Sequence, residues 1–411
     1  MICSMESPTQ DLSIHGHVAA GFEEVQTVFE ANFTQGIEVG ASLCVRSNGQ
    51  DLVNLWAGHQ DQNGERPWQQ DTLVNVYSVT KGIASLAVAA IVEDGHFDYS
   101  TEVRSIWPEF VAGQSGLSVG QLLSHQSGVP GVDEPVAIED MYNWPRMIGL
   151  LEKQQPYWPP GTAAGYHALH WGFLVGEVVR RTTGISLGRW VADRLATPLM
   201  ADFYLGLPEA LHARCADLIG PNRARKQPDL SSSTVPPSSP QMPQNPDLFS
   251  VALLNPSVRP WKDACSADWR SAEIAAANGQ ASGQGIATIY DAAANDGAAS
   301  GVRVLKPASI AALVTGEVGM TTDLILDKPM RRGRGVILNT NGEYGPSATA
   351  FGHSGAGGAL GFADPETGIG FGYAMNQMQP QMQTDGDTGA GEETRAGRLI
   401  AALYRALANR S

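Results

Sequence analysis

Cysteine is scarce and scattered. Cys3, Cys44, Cys215 and Cys265 are the four in 411 residues, and they show no metal-ligand spacing. Neither a cysteine-built zinc site nor a disulfide-stapled secreted scaffold is expected, although individual disulfides stay open. Basic residues are also few: 27 Lys and Arg stand against 42 Asp and Glu, for a net charge of −15. That balance argues against nucleic acid or an anionic membrane as a partner. No run approaches the roughly 18 apolar residues that suggest a membrane span. The opening Met-Ile-Cys-Ser-Met-Glu-Ser-Pro lacks a basic stretch followed by an apolar one, so no signal peptide and a cytoplasmic location are expected. What remains is a globular composition, 43% hydrophobic and 17% charged, long enough for one large domain or two intimate ones. No internal repeat is evident.

Against that background one stretch stands out, Asn75-Val-Tyr-Ser-Val-Thr-Lys-Gly82, which opens an apolar run ending near Asp94. Ser78 and Lys81 form a Ser-x-x-Lys pair, and no other lysine has a serine three positions before it. Residues at that spacing share one face of a helix, so a helix starting at Ser78 sets the amine beside the hydroxyl. A serine at a helix start is ordinarily a cap for free N–H groups. The lysine is harder to explain that way, because Gly82–Ile91 is apolar nearly all round and the helix should be buried. Burying an ammonium is costly, which favours a lowered lysine pKa and a proton-accepting role beside a serine nucleophile.

Taken in order, residues 1–20 read as a loose tail. Phe22, Val25, Val28, Phe29 and Phe33 follow helical spacing up to Gly36. Two alternating runs flank Asn48-Gly49, a strong hairpin signal. From Ile106 to Gly279 the texture is helical, with helices expected at 120–124, 138–151, 168–181 and 187–195. Within it, 228–246 is Pro/Ser-rich and reads as a lid, a binding loop or disorder. After Gly279 come helices at 285–295 and after Pro307, short strands at 335–338, 349–353, 359–363 and 369–375, and a closing helix at 393–408. The simplest architecture is an α/β (α+β) domain, helices on an antiparallel sheet, built from 1–105 and 280–411. A mainly helical domain, 106–279, is inserted between.

Two further stretches hold candidate partners for Ser78. Pro160-Gly-Thr-Ala-Ala-Gly-Tyr-His-Ala168 carries a tyrosine in a Gly-rich loop before a helix, and Gly352-His-Ser-Gly-Ala-Gly-Gly358 lies between two strands. Singly they read as a surface anchor and a bulge or turn. Together, Ser78-Val-Thr-Lys81, Tyr166-His-Ala168 and His353-Ser-Gly355 resemble the ordered motifs of the serine β-lactamase and penicillin-binding-protein superfamily, class C-like branch. Gln121-Leu-Leu-Ser-His-Gln-Ser-Gly128 looks like the same family. The resemblance implies a β-lactamase-like fold and an attack by Ser78 on an acyl carbonyl, with Lys81 and Tyr166 sharing the proton. It implies an oxyanion held by the backbone N–H groups of Ser78 and Ala356. Gly355 would keep the strand open to substrate, and His353-Ser354 would face the substrate or the proton network, with a structural role for His353 as the alternative. His125 is expected to be a structural core residue. No metal or cofactor is implied.

The departures from the family pattern point to an activity. There is no Ser-Asp-Asn element and no deacylating Glu-x-x-Leu-Asn loop, as a class A lactamase has. Ala168 replaces the asparagine of the tyrosine motif, and His353 replaces a lysine that recognises a carboxylate. Both point toward the ester-cleaving branch, the family VIII carboxylesterases, with a small-molecule ester as substrate. A β-lactamase or D-peptidase, an acyltransferase and a non-hydrolytic sensor are the alternatives; the oligomeric state is left open. The pocket rim is expected from the Pro-rich insertion and the loops near Trp158. One competing motif, Gly184-Ile-Ser-Leu-Gly188, fits a nucleophile elbow, but it follows a helical stretch where an elbow needs a strand, so Ser186 reads as a helix cap.

Overall fold

A computed structural model describes residues 12–221, 246–379 and 394–410. Cys3 and nearly all of the Pro/Ser-rich stretch, up to residue 245, lie outside them. Nine strands form one sheet in which every neighbouring pair is antiparallel. The N-terminal part supplies β1 (Ile14–Val18), β2 (Gly40–Ser47) and β3 (Gln50–Gly58). The C-terminal part supplies β4 (Val318–Thr322), β5 (Pro329–Arg332), β6 (Ile337–Leu338), β7 (Phe351–Ser354), β8 (Leu360–Asp364) and β9 (Ile369–Met375). Their order is β1-β3-β2-β9-β8-β7-β6-β5-β4, so the two ends of the chain meet where β2 pairs with β9. The hairpin at Asn48-Gly49 forms as its sequence predicts, with both residues at positive φ.

Four helices frame this sheet, α1 (Glu23–Thr34), α2 (Val79–Glu93), α4 (Gly283–Ala294) and α5 (Arg395–Ala408), while α3 (His170–Thr183) belongs to the helical middle of the chain and packs on α2. The helix α2 is buried from Val79 through Ile91, as its composition requires. The helix α4 lies so close to β9 that a Cβ on Gly370 would stand 2.1 Å from Asp291 N, and one on Gly372 2.2 Å from Gly283 O. Glycine is obligatory at both positions for steric reasons. Beyond the sheet, the middle of the chain is helical, joined to it by a small three-stranded sheet of Val74–Asn75, Gln280–Ala281 and Phe203–Tyr204. No helix of the described residues is long and apolar enough to cross a membrane.

Several expectations need correction. The tail at 1–20 contains β1, an edge strand held by backbone pairing to β3 (His15 opposite Trp56). Its sequence, Ile-His-Gly-His-Val, has too little apolar alternation to show in advance. The helix expected at 138–151 is broken: a 3₁₀ turn over Ile138–Tyr142 precedes a helix over Trp144–Lys153. Asn143 caps the second helix by accepting from Arg146 N, and Pro145 sits in its first turn. The polar strands β4 and β5 gave no alternating signal, and the run at 335–338 forms only the two-residue β6.

Candidate active site

The site grows out of the segment that leads into α2. Asn75 anchors that segment: its side chain donates to Ala277 O (3.2 Å) and accepts from Trp269 Nε1 (2.9 Å) and Gln280 Nε2 (3.0 Å). Tyr77 follows with φ of 44°, a conformation that costs a bulky residue energy, and its hydroxyl donates to Pro260 O (2.8 Å). The strained turn delivers Ser78 to the helix N-terminus. There Ser78 caps nothing: its side chain makes no bond to the first-turn N–H groups. Its hydroxyl makes a different set of contacts.

Ser78 Oγ lies 3.0 Å from Lys81 Nζ and 2.6 Å from the Tyr166 hydroxyl, and Lys81 Nζ lies 2.9 Å from that hydroxyl. The three side chains close a triangle, all buried. Lys81 also donates to two backbone carbonyls, Ala168 O (2.8 Å) and Ala276 O (2.9 Å). An ammonium has three N–H donors and a neutral amine has two plus a lone pair. The two carbonyls thus orient Nζ in either state and direct its remaining position at Ser78 and Tyr166. One proton can pass among the three groups without any side chain moving. Sequence reasoning could not find these carbonyls, since any residue supplies one.

Tyr166 is held by its loop. Gly165 N donates to His125 O (3.1 Å) and His167 N to His125 Nδ1 (3.1 Å), and His125 packs its ring 5.1 Å from that of Tyr166. His125 adopts a positive φ of 68° to make both contacts. It is buried and hydrogen-bonded, as expected of a structural residue, and burial drives its pKa well below the usual imidazole range. Trp158 is buried beneath the loop, donates to Ala163 O (3.0 Å) and leaves no room for a Cβ on Gly165. His167 is pinned between Gly165 O and Ser127 Oγ, and burial pushes its pKa down to about 3.

His353 and Ser354 end β7 beside the triangle. The His353 Nδ1 bonds Ser354 O (2.7 Å), and its ring stands 6.2 Å from that of Tyr166. Burial, reinforced by the Lys81 charge, pushes its pKa down to about 3, so the imidazole is neutral and Nδ1–H is the donor. This position carries no fixed cation. Gly355 meets a steric constraint from the backbone. A Cβ there would stand 2.1 Å from Val76 O, so the glycine lets β7's end dock on the chain just before Ser78. Among the described residues, the backbone N–H groups of Ser78 and Ala356 donate to no protein acceptor.

Ser186 stands apart from this cluster. Its hydroxyl donates to Glu273 (2.7 Å) and accepts from Arg189 N (3.3 Å) at the start of a short helix, preceded by α3 and not by a strand. It is the cap that the sequence indicates. Among the described residues no group of His, Cys, Asp or Glu is placed to hold a metal ion, and Cys44, Cys215 and Cys265 are free thiols.

Comparison with known proteins gives the chain a family. The Beta-lactamase family model matches residues 29–395. A crystal structure of a family VIII carboxylesterase is 40% identical, with a TM-score of 0.85, covering 96% of this chain and 100% of that one. A penicillin-binding-protein homologue from Caulobacter crescentus is 33% identical at a TM-score of 0.83, over 96% and 100% of the two chains. The esterase/β-lactamase LipL of Mycobacterium tuberculosis is 29% identical over 407 residues, 93% of this chain and 88% of that protein. The chain belongs to the β-lactamase family and is a serine β-lactamase-fold hydrolase close to the family VIII carboxylesterases.

Proposed function

We propose that this β-lactamase-family hydrolase is a carboxylesterase that cleaves small esters of short acyl chains through an acyl-enzyme on Ser78. The observation that carries the reading is the buried Ser78–Lys81–Tyr166 triangle, with sides of 2.6, 2.9 and 3.0 Å. Ser78 Oγ attacks the ester carbonyl while its proton passes to the Lys81–Tyr166 pair. The oxygen of the tetrahedral intermediate accepts from the backbone N–H groups of Ser78 and Ala356. Collapse breaks the ester C–O bond, and the departing alkoxide recovers the proton from Tyr166. Water then attacks the acyl carbon with the same pair as base, releasing the acid and restoring Ser78.

The choice of an ester over a β-lactam rests on the environment of His353. A β-lactam carries a carboxylate, and a neutral imidazole tied to Ser354 O gives it no fixed positive partner. An ester also has a better leaving group than an amide, so it needs less help from the missing side chain at Ala168. Hydrolysis of p-nitrophenyl acetate and butyrate by wild type, Ser78→Ala and Ser186→Ala, beside a chromogenic cephalosporin, tests this. Ester turnover should vanish in Ser78→Ala alone. Loss in Ser186→Ala alone, or a cephalosporin turned over faster than the esters, would refute it.

A further inference from the structure

We propose that Asp323 is a positioning residue for this reaction, fixing the Tyr166 hydroxyl against Ser78 and Lys81 by holding the Tyr166 backbone; the inference rests on the role given to Tyr166 above. Asp323 lies just beyond β4, in the loop to β5, and is 157 positions from Tyr166. Its Oδ1 accepts the Tyr166 N–H (3.1 Å) together with those of Ile325 and Leu326 (both 2.9 Å). Next to it, Leu324 N donates to Ala164 O (3.0 Å), so the β4–β5 loop is stitched to the tyrosine loop at two points. The other carboxylate oxygen, Oδ2, pairs with Arg332 Nη2 at 2.6 Å, and both side chains are almost wholly buried.

The division of labour between the two oxygens is what makes this more than an internal ion pair. The Arg332 charge draws Oδ2 to its side by proximity and not through a directed hydrogen bond, while Oδ1 is fixed by the row of backbone N–H groups that it accepts from. Tyrosine has only two side-chain torsions, so a displacement of its backbone passes almost undiminished to the hydroxyl. That hydroxyl must stay within bonding distance of two partners at once. A shift of about 1 Å in such a group can cost roughly 100-fold in rate.

The test separates the acceptor from the charge. Removing Asp323 alone would strand a buried guanidinium, so the charges are removed together. Asp323→Asn with Arg332→Met keeps a carbonyl acceptor, and its kcat on p-nitrophenyl butyrate should stay within about threefold of wild type. Asp323→Ala with Arg332→Met removes the acceptor, and kcat should fall roughly 100-fold at little-changed KM. Added to Tyr166→Phe, the Ala/Met pair should cost nothing further, because both act on one group. Equal kcat in the two pairs, or losses that add to Tyr166→Phe, would overturn the inference.

If the Ala/Met pair does not fold, Asp323→Glu serves instead, since it keeps the charge and displaces the acceptor by one methylene. A lowered kcat at normal KM and melting temperature supports the inference; a wild-type kcat overturns it. Tyr166→Phe alone guards the premise. If that variant turns over at the wild-type rate, the reading of the site fails. If it is slow and the Ala/Met pair is not, only the role of Asp323 fails.

Discussion

The Tyr166 hydroxyl stands 2.6 Å from Ser78 Oγ, although 88 positions separate the two residues in the chain. The contact joins the residue that leads into α2 to a loop from the helical part, so the proposed chemistry needs both parts of the molecule in register. Tyr166→Phe deletes only the oxygen. It should lower kcat by roughly 10²–10⁴-fold while KM changes little, as for loss of a general acid–base group. Steady-state kinetics on p-nitrophenyl butyrate measure this, and a wild-type kcat would contradict the assignment.

Lys81 presents the same test from another corner. Lys81→Met fills similar volume but cannot donate to Ala168 O and Ala276 O or take the Ser78 proton. Its loss of kcat should be of the same order, roughly 10²–10⁴-fold. Combined with Tyr166→Phe, the loss should fall well short of the product of the two, since they share one proton. Multiplicative losses would mean that the residues act separately.

How much of this was legible beforehand follows from the physics of each contact. Ser78 and Lys81 could be paired because helical periodicity fixes the geometry of residues three apart. Tyr166 and His353 could be added only as members of an ordered motif set, since nothing local ties them to Ser78. Gly355 was recognisable as a place for a small residue, but a sequence does not say which neighbour approaches, and Val76 O was missed. Asp323 left no trace at all. A carboxylate that accepts from a distant backbone N–H has no periodicity, and the strand before it, β4, is a polar edge.

Gly355→Ala should therefore act on the fold as well as on rate. The added methyl meets Val76 O, which belongs to backbone and cannot swing away. A cost of about 1–3 kcal/mol in unfolding free energy is expected from such overpacking. Because the strand end carrying Ala356 must move, kcat should fall in the same variant. Unchanged denaturant midpoint and kcat together would show that the strand can yield freely.

Acid stability should be set in part by the three histidines around Tyr166. His167 and His353 are held near a pKa of about 3, and His125 well below the ordinary 6.5, by burial. Below 6.5 the unfolded chain binds protons that the folded chain refuses. Their stabilisation is thus complete above that pH and is lost as pH falls toward the folded values. Each such imidazole contributes a slope of about 1.4 kcal/mol per pH unit. His353→Gln should flatten the decline below pH 6.5 by about that amount per unit. Unfolding curves of both proteins across this range decide it, and parallel declines would contradict the neutral assignment.

The central claim is a covalent acyl group on Ser78, and the most direct measurement is to trap it. Wild-type protein mixed with p-nitrophenyl butyrate and quenched in acid should gain the mass of one butyryl group, which peptide mapping should place on Ser78. Ser78→Ala should gain none. An adduct on Ser186, or ester hydrolysis in Ser78→Ala at the wild-type rate, would contradict the account.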